Sequence, residues 1–342
     1  MLKNIIKVGV FFGGISPEHD ISLMSARGII DNIDREKFQI IQIYINKEGS
    51  FLTGENVLNI LKIKEEQKLK KIDINKLAQL IDVAFPVLHG EGGEDGSIQG
   101  FFKTLDVPFV GCNIASSAIC LDKAFFNQIM EANAMRQPRF VVLDYNFNAE
   151  EKIAGSIKFV QQKFKLPLFV KPARTGSSVG INKVSDINDL ILYINKAKKY
   201  DNKVIIEEGV SSPLEIEVSV LGNTVKDIKA SLPGRIIPGA DFYDYKDKYF
   251  NGRSKSELPA VLPKGVNIKV QELAIKIYKI VNCTGLARVD FLLDKKFNIF
   301  INEINTLPGF TPVSMYPKLW EITELNYKNL ISKLIELALK NK

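Results

Sequence analysis

The sequence is poor in cysteine, histidine and arginine. Its 342 residues include three cysteines and two histidines, and eight of its 46 basic residues are arginine. The cysteines, Cys112, Cys120 and Cys283, lack metal-ligand spacing and form no disulfide framework, which predicts a reducing, cytoplasmic environment. Scattered lysine with little arginine disfavours a nucleic-acid-binding surface, in spite of a net charge of +7.

Long apolar runs and two nucleotide-binding fingerprints are also missing. No apolar stretch approaches the roughly 18 residues of a membrane-spanning helix, and no signal peptide is evident, so we expect no membrane association. No G-x-G-x-x-G occurs after the first strand, which disfavours a nicotinamide-dependent dehydrogenase, and no G-x-x-x-x-G-K-[S/T] phosphate loop is present. The composition, 46% hydrophobic and 25% charged, is that of a globular chain of two or three domains.

The first third of the chain alternates apolar runs with amphipathic segments. Continuous apolar runs predict buried parallel strands, and a helix begins after the first glycine turn. We expect strands at 5–12, 38–45, 81–88 and 107–110, the helix from 16 onward, and a charged surface insertion carrying a helix at 46–76. This alternation predicts an open α/β sheet whose ligands bind at the carboxyl ends of its strands.

Two polar side chains follow strand ends in this region. Glu18 comes after the first strand, and His89 opens a loop rich in glycine and acidic residues. Both are candidate ligand-binding groups, because such loops often carry function. Each has a structural alternative: Glu18 as a carboxylate that stabilises the start of its helix, and His89 as a loop histidine held by its own turn.

A loop of small residues follows a strand in the middle third. The strand at 168–171 ends in Lys171 and leads into PARTGSSVG at 172–180. The backbone N–H groups of such a loop can surround phosphate oxygens, with the lysine adding a positive charge, and a flexible hairpin loop is the alternative. A later strand at 204–208 leads into an expected hinge at 207–210, where backbone groups and a carboxylate suit an adenine.

The stretch at 286–315 contains a charge inside an apolar strand. Two strands around a lysine-rich turn are expected, and the first contains Asp290, which should not be buried alone. A turn centred on 295–296 pairs Asp290 with Ile301, whereas a turn centred on 296–297 pairs it with Glu303. Either register places Asp290 on the face that carries Glu303 and Asn305.

Oxygen ligands on one face of a hairpin suit a hard cation. Mg²⁺ is typically held by one or two carboxylates and leaves its other positions to water and phosphate. Arg288 lies two residues before Asp290 on the same face, and an anion-seeking guanidinium beside a cation site indicates a phosphorylated substrate. The alternative is a buried structural cluster of Arg288, Asp290 and Glu303.

A polar and aromatic stretch precedes this hairpin. Residues 240–257 show little periodicity, and a loop of this length with aromatic side chains predicts a lid over a site. Amphipathic helices are expected at 266–281 and 325–339.

Nine stretches, in order from residue 12 to 317, resemble the ATP-grasp D-alanine–D-alanine ligases. They are FGGISPEHDIS, LHGEGGEDGSIQG, LDK, FVKPARTGSSVGI, IIEEGV, EIEVSVLG, FYDYKDKY, GLARVDFLLD and INEINTLPGFTPVSMYP. The resemblance implies an ATP-grasp fold of three domains: an α/β domain at 1–121, a central part at 122–212, and a C-terminal part at 213–342 with a lid at about 235–257. It also implies ligation of two D-alanines through an acyl phosphate.

The resemblance assigns roles residue by residue. Nucleotide contacts are implied for Lys123, Lys171, Ser177, Glu207, Glu208, Val210, Glu215, Lys248 and Asn302. Two Mg²⁺ ions, which Mn²⁺ can replace, are implied at Asp290, Glu303 and Asn305, with K⁺ as a further candidate ion. Glu18, Ser177, Tyr249 and His89 are implied around the first D-alanine, Arg288 and the Gly309 N–H in the oxyanion hole, and Ser314 and Met315 at the second D-alanine.

The resemblance also implies a homodimer and leaves alternatives for the reaction. A related ligase that joins D-alanine to D-lactate or D-serine is the nearest alternative, and Tyr249 favours the dipeptide-forming type. A non-catalytic ATP-binding regulator is a third reading, disfavoured because every phosphate and metal position is retained.

Overall fold

The computed structural model describes residues 5–176, 178–239 and 254–341. Three of the implied site residues, Ser177, Lys248 and Tyr249, lie outside these ranges, as does the centre of the expected lid. Its two ends form short strands that pair with each other antiparallel, with Arg235 opposite Glu257.

Helices and strands alternate through the first third and are mixed thereafter. The strands are β1 Ile6–Gly13, β2 Phe38–Ile45, β3 Phe51–Thr53, β4 Lys70–Lys71, β5 Val83–Pro86, β6 Phe140–Asp144, β7 Leu168–Pro172, β8 Asn182–Val184, β9 Lys203–Glu208, β10 Leu214–Leu221, β11 Lys229–Ala230, β12 Gly234–Ile237, β13 Lys255–Glu257, β14 Leu286–Leu293 and β15 Ile299–Asn305. The helices are α1 His19–Asn32, α2 Val57–Lys62, α3 Leu77–Leu80, α4 Ser97–Thr104, α5 Ile114–Leu121, α6 Lys123–Ala132, α7 Glu150–Lys163, α8 Leu190–Lys198, α9 Val266–Ile280, α10 Met315–Glu321 and α11 Tyr327–Lys340. None of the helices within the described ranges is long and apolar enough to cross a membrane.

The first sheet has the order β4-β3-β2-β1-β5. Strand β1 lies between β2 and β5 and is parallel to both, as the continuous apolar runs predict. The expected fourth strand at 107–110 is wrong, because this segment makes a single bridge between Phe109 and Ala84. Pro108 has no N–H to donate, so a longer ladder would lack one of its bonds.

The segment at 46–76 is more than the expected surface insertion. It contains α2 as expected, but β3 and β4 also extend the first sheet antiparallel beyond β2. Val57 and Leu69 are buried in the core of this region. Strands β3 and β4 are three and two residues long, too short to show an alternating pattern, which is why the sequence does not indicate them.

Two further sheets are antiparallel and lie on either side of the main cavity. One has the order β6-β9-β7-β8, and the other has the order β13-β12-β10-β14-β15 with β11 beside β10. Helices α7 and α8 pack on the first of these, and α9 covers one face of the second. The uncovered faces present the polar side chains of the site to the space between them.

Helix α11 packs against the first sheet, although in sequence it follows the strands of the sheet that contains β10, β14 and β15. Its buried residues Leu330, Leu334 and Ile335 belong to the same apolar cluster as Val8 and Val10 of β1. The core of the first sheet is therefore completed by the far end of the chain.

Candidate functional site

The β14–β15 hairpin places its polar residues through a β-bulge. Near the turn Leu293 pairs with Ile299 and Phe291 with Ile301, a register midway between the two expected ones. A shift after Phe291 leaves one extra residue, Asn302, on β15, and Asp290 then lies opposite Glu303. Bulges re-aim side chains beside sites, and here the successive Asn302 and Glu303 both line the cavity. Asp290 thus faces Glu303, as the second of the two expected registers has it.

Arg288 is held by two carboxylates. Its Nε and Nη2 donate to Asp290 Oδ1 at 2.8 Å and Oδ2 at 2.7 Å, and Nε lies 3.0 Å from Glu217 Oε2. All three residues are buried. Burial alone would lower the pKa of Arg288, but Asp290 and Glu217 outweigh it and raise that pKa well above its usual value. The guanidinium is therefore a fixed positive charge in the wall of the site.

Carboxylates crowd the same wall and leave a surplus of negative charge. Burial, followed by repulsion from Asp290 and Glu303, raises the pKa of Glu215 to about 7. No three His, Cys, Asp or Glu side chains among the described residues are grouped as a metal site by themselves. The expected set holds two carboxylates and an amide, Asp290, Glu303 and Asn305, and Asn305 pairs with Arg288 across the hairpin. Oxygen donors in a negative environment fit a hard divalent cation.

Two lysines lie on the opposite side of the cavity. Lys171 Nζ pairs with Glu207, whose other carboxylate oxygen accepts from Asn127 Nδ2 at 3.0 Å. Lys123 Nζ donates to the Thr175 carbonyl at 2.6 Å, in the loop of small residues. Burial lowers the pKa of Lys123, partly opposed by Glu303. Both ammonium groups therefore face the space between the two antiparallel sheets, where an anion would be attracted.

The first sheet contributes a third group of polar side chains. Glu18 and His89 are both buried at the carboxyl ends of β1 and β5. His89 Nε2 is 3.0 Å from Ser25 Oγ, and its Nδ1 is 3.9 Å from Glu94 Oε1. A Cβ on Gly176 would lie 3.6 Å from Glu18 Oε2, so the small-residue loop closes on this group. Glu18 occupies the N-cap position of α1 but makes no side-chain cap to that helix.

One cavity of about 680 Å³ collects these groups. Of the residues expected in the site, those that line it are Glu18, His89, Lys123, Lys171, Glu207, Glu208, Val210, Glu215, Arg288, Asp290, Asn302, Glu303, Asn305 and Gly309. Ser314 and Met315 are not among its lining residues. Ser314 precedes α10 and its Oγ accepts from the Thr311 N–H at 3.1 Å, while Met315 packs against Ile236 and Leu319.

Two carboxylates of this cavity, Glu217 and Glu94, are among the lining residues that the sequence did not single out. In the sequence, Glu217 is one of the alternating residues of a strand, and only its pairing opposite Asp290 reveals its contact with Arg288. Glu94 lies within an acid-rich loop, where nothing in the sequence distinguishes it from Glu91 or Asp95. The alternation of β10 could have indicated Glu217, since it places Glu217 on the same face as Glu215.

Comparison with known families agrees with the observed geometry. The model for the N-terminus of D-ala D-ala ligases matches residues 7–112, and the model for the C-terminus of the same family matches residues 129–336. The D-alanine–D-alanine ligase of Caldicellulosiruptor bescii is 44% identical over 98% of this chain and 95% of its own length.

Solved structures show the same fold. The VanG D-Ala:D-Ser ligase of Enterococcus faecalis superposes with a TM-score of 0.86 at 31% identity, over 98% of this chain and all of its own. The D-alanine–D-alanine ligase of Coxiella burnetii gives a TM-score of 0.83 at 31% identity, over 98% of this chain and 96% of its own. The α/β ATP-grasp fold expected from the resemblance is therefore confirmed.

Proposed function

This chain belongs to the D-alanine–D-alanine ligase family, and we propose how its cavity performs the reaction of that family. The protein is an ATP-dependent ligase that joins two D-alanine molecules through an acyl phosphate, for peptidoglycan precursor synthesis. The observation that carries the residue assignments is the meeting, in one cavity, of the Arg288–Asp290–Glu303 wall, the lysines of the opposite sheet, and Glu18 with His89.

The nucleotide lies between the two antiparallel sheets in this proposal. Lys123 and Lys171, joined by Lys248 from the lid, neutralise the phosphates. Glu207 with the backbone of Glu208 and Val210 holds the adenine. Glu215 takes the ribose, and Asn302, turned inward by the bulge, contacts the nucleotide. Phosphoryl transfer depends mainly on such positioning and neutralisation.

Asp290, Glu303 and Asn305 would hold two Mg²⁺ ions, with Mn²⁺ able to replace them and K⁺ as a further candidate. When bound, the ions supply positive charge beside the transferring phosphoryl group. The surplus of carboxylates described above is the observation that supports a cation here, and oxygen donors of this kind suit Mg²⁺.

The amino acids lie at the junction with the first sheet. Glu18 binds the ammonium group of the first D-alanine, braced by Ser177 and Tyr249, and His89 lies beside it. Arg288 and the Gly309 N–H donate to the oxyanion that forms when the second amine attacks. Ser314 and Met315 meet the second D-alanine, with Ser314 at its carboxylate. Loss of one oxyanion donor typically costs about 3 kcal/mol of transition-state stabilisation.

A direct assay tests the activity. Purified protein with ATP, Mg²⁺ and D-alanine should release one ADP per D-alanyl-D-alanine, and L-alanine should give neither product. Asp290→Asn should lower kcat by at least about 100-fold, because it removes a carboxylate from the cation and weakens the hold on Arg288. Asp294→Asn, at the hairpin tip where Asp294 only caps the turn, should keep full activity.

Two results would contradict the proposal. Absence of turnover by the wild-type protein would exclude the ligase, and full activity of Asp290→Asn would exclude the assigned cation site.

A second candidate reaction is joining D-alanine to D-serine, as the name of the E. faecalis neighbour states for that protein. Product masses from equimolar D-alanine, D-serine and D-lactate separate these, and we expect the dipeptide of D-alanine to predominate.

We further infer, from the family resemblance, a cytoplasmic homodimer that acts on D-alanine and ATP without nucleic acid or membrane partners. Sedimentation of the purified protein should give the mass of a dimer, and a concentration-independent monomer would contradict this.

A further inference from the structure

The backbone immediately after Gly309 is held by side chains from two distant helices. The Phe310 N–H donates to Ser25 Oγ of α1 at 3.4 Å, and Tyr327 Oη, at the start of α11, donates to the Phe310 carbonyl at 2.5 Å. Both peptide planes that flank Phe310 are therefore fixed from outside the loop. Neither Ser25 nor Tyr327 lines the cavity or has a role in the proposed reaction.

The Phe310 side chain anchors the same point. Its ring is 1% exposed and lies 5.7 Å from the ring of Phe85, 5.9 Å from Tyr316 and 5.5 Å from Tyr327. Such aromatic contacts add to the stabilisation that burial gives. The loop thus enters the core at Phe310 and cannot move there without opening it.

Helix α1 is shaped to receive this loop. A Cβ on Gly28 would lie 2.8 Å from Tyr327 Oη and 3.2 Å from the Phe310 carbonyl oxygen, so a larger residue would push both away. Glycine inside a helix costs about 1 kcal/mol relative to alanine. Glycine at this position is explained by the close approach of the loop to α1, which leaves no room for a side chain.

Ser25 also connects this loop to the first-substrate region. Its Oγ accepts from Phe310 N–H and is 3.0 Å from His89 Nε2. In the tautomer in which Ser25 Oγ donates to Nε2, the imidazole proton is on Nδ1, which faces Glu94. One hydroxyl therefore ties His89 and the Gly309–Phe310 backbone to the same helix.

We propose that Ser25 and Tyr327 are positioning residues that hold Phe310 so that the preceding Gly309 N–H points at the developing oxyanion. The inference rests on the proposed function, because it gives Gly309 its assigned role. The two peptide planes around Phe310 are fixed, and the φ angle of Pro308 is restricted by its ring. The direction of the Gly309 N–H therefore depends mainly on the backbone torsions of Gly309 itself. Removal of either hydroxyl frees the loop and misaligns the donor.

Misalignment should affect the second half of the reaction more than the first. The acyl phosphate still forms, but the amine attack, which uses the oxyanion donor, is slowed. More of the intermediate then dissociates into solvent, where its hydrolysis does not use that donor. In that side reaction the water oxygen bonds to the carbonyl carbon, phosphate leaves with the bonding pair, and a water proton passes to solvent. D-alanine is regenerated, so ADP accumulates without dipeptide.

The test compares Tyr327→Phe and Ser25→Ala with matched controls. Tyr278 Oη donates to the Gly222 carbonyl at 2.8 Å, and Ser332 Oγ to the Lys328 carbonyl at 3.1 Å, so Tyr278→Phe and Ser332→Ala remove hydrogen bonds of the same kind that do not involve the loop. We expect Tyr327→Phe and Ser25→Ala to lower kcat about tenfold, to leave the KM for ATP unchanged, and to raise the ratio of ADP to dipeptide clearly above one. The controls should keep a ratio of one.

The ratio of ADP to dipeptide does not depend on how much enzyme is folded, so a merely structural role would not move it. A ratio of one in either Tyr327→Phe or Ser25→Ala would overturn the inference. If the wild-type protein forms no dipeptide, the proposed function fails instead, and the two failures are distinguished by that first measurement.

Discussion

At the scale of single residues, the site is defined by carboxylates that repel one another. Glu215, Glu217, Asp290 and Glu303 share one wall with the guanidinium of Arg288. Breaking up such a buried cluster is costly, yet assembling it gives little net stability. The arrangement is therefore better explained by the charged ligands it accepts than by the stability of the fold.

The raised pKa of Glu215 predicts a pH-dependent cost in the metal-free protein. The folded state holds its proton up to about pH 7, whereas the unfolded chain releases it near the ordinary value of 4.5. Because the native state binds the extra proton, this residue contributes stability at low pH that is lost as pH rises from 4.5 towards 7. Glu215→Gln removes that loss.

The quantity to compare is the unfolding free energy of Glu215→Gln minus that of the wild type. We expect this difference to be larger at pH 8 than at pH 5 by on the order of 1–3 kcal/mol. Urea unfolding of metal-free protein at both pH values measures it. Glu151→Gln, which replaces an exposed carboxylate on α7, is the matched control. An unchanged difference for Glu215→Gln would contradict the pKa assignment.

At the scale of elements, α6 connects two parts of the site. Asp122 caps its N-terminus by accepting from the Ala124 and Phe125 N–H groups, and it pairs with Lys203 of β9 at 2.8 Å. The next residue, Lys123, donates its backbone N–H to the Ala173 carbonyl at the base of the small-residue loop. The start of this helix therefore sets where the Lys123 ammonium lies.

Asp122→Ala should destabilise the protein by about 3 kcal/mol, because it removes a cap and leaves the Lys203 charge unpaired. Asn326→Ala, which removes only the cap of α11, should cost about 1 kcal/mol. We also expect a higher KM for ATP in Asp122→Ala alone. Thermal unfolding and steady-state kinetics of both variants check this. If Asp122→Ala and Asn326→Ala lose the same stability and have the same KM for ATP, the prediction is refuted.

At this scale the sequence predicts an element correctly where a single hydrophobic period or a single motif defines that element. The apolar runs predicted β1, β2 and β5, and motif resemblance located the loops. The bulge at Asn302 could not be predicted, because a single extra residue leaves no mark in an alternating pattern, and neither could the Glu217–Arg288 contact, which depends on the pairing of β10 with β14. Long-range register is set by the packed sheet and not by local preference.

At the scale of the whole molecule, α11 and the first sheet share one apolar core. Leu334 of α11 and Ile277 of α9 are both fully buried, but they belong to different clusters. Replacing either with alanine should cost about 2–5 kcal/mol. The two variants should differ in which part of the chain opens.

Hydrogen exchange tests this difference. Leu334→Ala should increase exchange in α1 and β1, and Ile277→Ala should increase it in β10 and β14, because local opening follows the cluster that is weakened. If Leu334→Ala left α1 and β1 as protected as in wild type, α11 would not be a structural part of the first sheet.

The packing of α11 onto β1 also has a consequence for biosynthesis. As the polypeptide leaves the ribosome, the opening βα units emerge long before the helix that completes their hydrophobic contacts. Until translation has passed that helix, the nascent chain carries an incompletely covered apolar face, a species of the kind that chaperones protect from aggregation.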